Sequence, residues 1–176
     1  MIQLLYRGGL GSNMYTAIET ACAIVNYANQ IDNPMSNLKL QKVLYFVQGY
    51  YLQMTGNPFF GDEIEAWRYG SVVPNVYEQF QTFGSSFIPY IHEYSVIDET
   101  AWNETILFFS FDDFNSNDLY FLKAVVKKLN KYSASDLVTI THKQDPWRLA
   151  VNSGNCSIIS KESIKRYFDK RSRGNC

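Results

Sequence analysis

The chain is poor in the residue types that build metal centres and disulfide frameworks. It has two histidines, His92 and His142, and three cysteines, Cys22, Cys156 and Cys176. Neither histidine has a cysteine or carboxylate at a ligand spacing, and there is no C-x-x-C pair. An odd number of scattered cysteines reads as free thiols in a reducing cytoplasm. No apolar run approaches the ~20 residues of a membrane span, which excludes a helical membrane protein. An excess of one charge is missing too. Sixteen Lys and Arg against 17 Asp and Glu leave a net charge of -1, so no global field draws the chain to nucleic acid or anionic lipid. P-loop, G-x-S-x-G elbow and Gly-rich dinucleotide turn are all absent. These gaps argue against a protein-built metal site and a membrane span; a Cys–His or Ser–His pair that meets only in the fold stays open, with nothing in the sequence to favour one.

What the chain has is apolar and aromatic bulk. Hydrophobic residues make up 46% and aromatics 16%, with 13 Tyr and 12 Phe, so its 176 residues suffice for one domain with a substantial core. Residues 1–13, "MIQLLYRGGLGSN", carry no cleavage site of a signal peptide. They read as a poorly ordered extension ahead of a native start at Met14. The expected domain spans 14–170, followed by a tail over 171–176.

Periodicity predicts a mainly α (α+β) fold, a compact helical domain around a buried central helix at about 36–55, with a small β element near 63–69. Thr16 and Glu19 form a capping box for a first helix ending at Asn33-Pro34. In "LKLQKVLYFVQGYYLQMTG" large apolar groups cover all but a narrow arc around Lys42, Gly49 and Gln53. Such a helix is buried on several sides. Gly49 weakens it unless another backbone must approach there, and Gly56 stops it. Glu63 to Tyr69 reads as one strand, with Glu65, Trp67 and Tyr69 on one face. Pro74 opens a helix through Phe83. Residues 84–115 are irregular by pattern, apart from a strand in "TILFFSF". Further helices follow from Leu119, from the Ser133/Asp136 cap, from Asp145-Pro146 and from Ser160.

Three constellations bear on function. Glu63 and Glu65 share a strand face near Asp62, which has the outline of paired carboxylates; charges guarding a sheet edge are the more ordinary reading. The C-terminal run Lys161, Lys165, Arg166, Lys170, Arg171 and Arg173 offers phosphate contacts, although cations near a helix C-terminus also suit its dipole. Trp67-Arg68-Tyr69, with Tyr77 close behind, concentrates the residue types enriched at interface hot spots. Alternation leaves Arg68 facing away from Trp67 and Tyr69. Lys39 and Lys42 add positive charge if the central helix begins beside this strand.

The stretch from Ser36 to Gly84, "SNLKLQKVLYFVQGYYLQMTGNPFFGDEIEAWRYGSVVPNVYEQFQTFG", resembles the Panacea domain, met in SocA-like antitoxins and GepA-type phage-associated proteins. "SASDLVTITHKQDPWRLA" resembles the same family's later segment through Leu137, Thr141, His142, Pro146, Trp147 and Ala150. Ser71 departs from the pattern, which has Pro there. The resemblance implies a mainly α antitoxin that binds and neutralises a cognate toxin, directly or as an adaptor to a host protease, often in phage or mobile-element operons. It implies no catalytic residue and no cofactor. The expected toxin-binding residues are Lys39, Lys42, Glu65, Trp67, Arg68, Tyr69 and Tyr77. The alternatives are a nucleic-acid-binding regulator using the basic C-terminal helix, or a small hydrolytic enzyme using Asp62, Glu65 and His142.

Overall fold

The computed structural model describes residues 14–98, 103–154 and 157–173. The extension over 1–13, Cys156 and Cys176 lie outside them. Helix α1 (Ala17–Gln30) starts on the predicted box: Glu19 N donates to Thr16 Oγ1 at 3.2 Å, and Thr16 N to Glu19 Oε2 at 2.8 Å. Helix α2 (Asn37–Thr55) ends at Gly56, whose φ of +81° is left-handed. Strands β1 (Glu65–Trp67) and β2 (Gly70–Val72) lead into helix α3 (Pro74–Phe80), which tightens into a 3-10 turn over Gln81–Phe83. Strands β3 (Glu93–Asp98) and β4 (Asn103–Phe108) follow. Then come helices α4 (Ser116–Leu129), α5 (Ala134–His142) and α6 (Asp145–Ser153), strand β5 (Ser157–Ile158) and helix α7 (Lys161–Arg173).

The fold is mainly α around α2, with two small antiparallel sheets among the described residues. Two expectations need correction. Glu63 to Tyr69 is not one strand. It is a hairpin in which Glu65 pairs with Val72 and Trp67 with Gly70, and β5 adds a third strand beside β1. The strand expected in "TILFFSF" is present as β4 up to Phe108, but 84–115 is less irregular than its pattern suggests: β3 pairs with β4, Glu93 opposite Phe108, and Phe111–Asp113 is a 3-10 turn. Helix α7 runs through Arg173.

Helix α2 is more buried than its pattern predicts over its first three turns and less at its end, where Met54 is 61% exposed. Leu40, Val43, Leu44, Tyr45 and Val47 are fully enclosed, as expected. Two of the three positions in the polar arc, Lys42 and Gly49, are enclosed as well, while Gln53 is half-buried. Lys42 lies under β2, and Gly49 meets a side chain, not a backbone: a Cβ there would fall 2.3 Å from Phe168 Cε2 of α7. Cys22 of α1 is part of the core, and burial pushes its thiol up to about 12. No described helix is long and apolar enough to cross a membrane.

Leu44→Ala or Val47→Ala should each cost roughly 2–5 kcal/mol, the usual loss for emptying an enclosed site. Chemical denaturation measures it, and an unchanged midpoint in both would place α2 at the periphery.

Candidate functional site

Helix α2 carries a row of buried polar side chains, and each holds backbone from another part of the chain. Gln41 accepts from Val73 N through Oε1 at 2.9 Å, while its Nε2 donates to Asn37 Oδ1. Asn37 in turn donates to the Tyr77 carbonyl at 3.0 Å. Lys42 Nζ donates to the Ser71 carbonyl at 2.7 Å, and Lys39 Nζ to the Asn130 carbonyl at 2.9 Å. Gln48 takes Phe59 N at 2.8 Å and gives a bond to the Phe60 carbonyl at 2.9 Å. Buried backbone groups must find partners, and α2 supplies them for β2, α3 and the loop before β1.

The β1–β2 hairpin is therefore anchored at its root. Gly70 sits at φ +102°, a left-handed conformation that side chains rarely adopt. A Cβ there would also meet Lys42 Cε at 2.6 Å and Thr141 Oγ1 at 3.1 Å. Trp67 is braced from three sides. Its Nε1 donates to Glu65 Oε2 at 2.7 Å, its ring leans on Tyr77 with centroids 5.2 Å apart, and its carbonyl accepts from Trp147 Nε1 at 3.1 Å. Trp147 stacks on His142 at 4.0 Å. From this base the turn projects outward. Arg68 and Tyr69 are exposed, Tyr69 at 59%, and the guanidinium carbon lies 5.4 Å from the Tyr69 ring centroid.

The protein-family model described as "Antitoxin SocA-like, Panacea domain" matches residues 40–148. The chain belongs to this family. "Antitoxin SocA" of Caulobacter vibrioides (strain NA1000 / CB15N) is 30% identical over 137 residues, covering 77% of this chain and 70% of that protein. No solved structure matches.

Within the Panacea domain, the structure brings Glu65, Trp67, Arg68, Tyr69 and Tyr77 together around one hairpin and the helix after it. It places the two lysines differently from expectation. Lys42 is fully buried and Lys39 is 8% exposed, so both face inward to carbonyls and neither lays charge on the surface. Tyr69 does not share a strand face with Trp67, because β1 stops at Trp67 and Tyr69 belongs to the turn. A recess of about 310 Å³ is lined by Asp62, Glu63, Glu65, Val73, Pro74 and Asn75. Its lining does not include His142, which sits against Trp147, so the three residues of the hydrolytic reading do not converge there. Among the described residues no cluster of three His, Cys, Asp or Glu is placed to hold a metal. The roles of Gly70, Thr141 and Trp147 were not deduced from sequence, although all three stand in the matched segments.

Burial holds the Lys42 ammonium down, to about 7 from the usual 10.5. His142 is also lowered, first by burial and then by the Lys42 charge. Between these two Lys42 values the unfolded chain binds the extra proton, so stability rises as pH climbs from about 7, at up to about 1.4 kcal/mol per pH unit. The thermal midpoint of the wild type should therefore rise from about pH 7 to 9 relative to Lys42→Met; parallel curves would show that Lys42 titrates normally. Ser71 Oγ is buried without a hydrogen-bond partner among the described residues. Ser71→Ala should raise unfolding free energy by about 1 kcal/mol in urea titration, because it deletes an unsatisfied hydroxyl. A loss of stability would mean the hydroxyl is satisfied.

Proposed function

We propose that this chain binds and neutralises a cognate toxin protein in the cytoplasm, with the tip of the β1–β2 hairpin as its principal contact. The observation that carries this reading is the exposed Arg68–Tyr69 turn on a base anchored by Lys42, Gly70 and Trp147. Tyr offers large contact area at low side-chain entropy cost, and Arg adds directional charge-assisted bonds. A turn held in place before binding loses little further freedom on association. In this reading Glu65, Trp67 and Tyr77 form the flank of the contact, and Lys39 and Lys42 act from behind by fixing the backbone. Membership of an antitoxin family supports a binding role over a catalytic one.

The test pairs this chain with the product of the adjacent gene. Co-expression should restore growth that the adjacent gene alone suppresses. Arg68→Ala and Tyr69→Ala should each weaken the complex by about 2 kcal/mol, roughly 30-fold, with unchanged circular dichroism. Wild-type affinity in both would move the interface elsewhere. Glu65→Gln and His142→Asn should still rescue growth; failure of rescue with intact folding and binding would argue for chemistry. Rescue in a protease-deficient host indicates direct neutralisation, and its loss there indicates an adaptor.

A further inference from the structure

The balanced net charge hides a strong division along the chain. After Phe114 lie 12 of the 16 Lys and Arg but 5 of the 17 Asp and Glu. The fold gathers part of this excess at one seam, where α4 and α7 flank the second half of α2. Tyr50 of α2 lies in that seam. Lys128 Nζ of α4 sits 4.6 Å from its ring centroid on one side, and Phe168 of α7 meets it edge-on at 5.1 Å on the other. Tyr167 follows Phe168, and the Arg171 guanidinium lies beside the Tyr167 ring with Nη1 3.4 Å from its hydroxyl. Lys127, Lys128 and Lys131 on the α4 side and Arg166, Lys170 and Arg171 on α7 are all exposed. None of the six makes an ion pair with a described carboxylate. The acids nearest in sequence are engaged: Asp169 is 2.6 Å from Lys165, and Asp136 is taken up by the Ser133 cap.

We propose that the α4–α7 seam is a nucleic-acid surface that binds through the phosphate backbone. Two features favour phosphates over an acidic protein. The core of a protein interface is depleted in charge, in Lys above all, and needs desolvated apolar anchors. The large hydrophobic side chains that are exposed elsewhere on the molecule are absent from α7 and from the C-terminal half of α4; Tyr120, the exposed one on α4, lies in its N-terminal half. On α2 itself Met54, four residues after Tyr50, is 61% exposed. One flexible apolar side chain among these cations is less than a desolvated interface core needs, and suits a polyanion that stays hydrated and exchanges its counterions for Lys and Arg. Half-buried Tyr50 and Tyr167 add ring edges along the same line. This surface is separate from the hairpin tip and does not depend on the toxin-binding reading.

The full chain is titrated against a fluorescent duplex of about 20 base pairs and arbitrary sequence, from about 50 to 200 mM salt, by fluorescence polarisation. Wild type should bind at low salt, and log K should fall with log salt at a slope of about -3 to -5. Lys128→Gln with Arg171→Gln should make that slope shallower by about 2 and weaken low-salt binding at least about tenfold. Lys127→Gln with Lys131→Gln provides a second pair of exposed positions. Arg68→Ala should leave the titration unchanged. The proposal is overturned if wild type shows no salt-dependent binding, or if both Gln pairs keep the wild-type slope at intact fold. It is also overturned if Arg68→Ala weakens binding as much as they do, or if polyglutamate of equal charge displaces the duplex as readily as unlabelled duplex does.

Discussion

Everything around the hairpin depends on hydrogen bonds from buried side chains of α2 to backbone that α2 does not own. Lys39, Gln41, Lys42 and Gln48 reach Asn130, Val73, Ser71, Phe59 and Phe60. Hydrophobic contact brings short strands and loops near a helix, but it is non-directional and sets no register. These bonds do set it. Each joins a donor and an acceptor that would otherwise be orphaned in a dry interior, where an unpaired group costs about 1–3 kcal/mol. A central helix apolar all round would bury as well and position nothing.

The same fact reinterprets the motif that marks the family. Polar residues in a stretch that resembles the family invite a reading as contacts for a partner. Here the polar letters of "KLQK" point inward and serve as scaffold. Tyr45, a few residues on, is likewise fully buried, and its hydroxyl donates to Gln144 Oε1 at 2.7 Å, tying α2 to the start of α6. The exposed residues Arg68 and Tyr69 lie next to these anchors.

How legible this was varied with the range of the interaction. Thr16 with Glu19 and Ser133 with Asp136 act across three residues, and both boxes were visible and form as read. Asp145-Pro146 and Gly56 likewise mark helix ends by local stereochemistry. Lys42 was unreadable, because lysine is rarely fully buried and its partner carbonyl is 29 residues away. Glu63 to Tyr69 reads as one strand, running β1 through the turn, because Arg68-Tyr69 carries none of the usual Asn-Gly or Asp-Gly turn signals. The turn is made by Gly70, with Lys42 and Thr141 closed around it, a tertiary cause. β3 went unseen for a similar reason: "EYSVID" is held by β4, and nothing in the six residues alone forces it. At the candidate site, residue types drew attention to Trp67 through Tyr69, but which of them faces out was decided by where β1 ends.

The turn at Arg68 and Tyr69 is built so that shape and identity are independent. Its path is dictated by Gly70 and by the bonds behind it, while its own two side chains contribute nothing to the enclosed core. Exposed positions of this kind usually change stability by no more than about 0.5 kcal/mol when substituted. The fold can therefore accept new residues there with little loss of stability. A lineage locked in pursuit of a changing partner could rewrite these two letters repeatedly while the rest of the chain stands still.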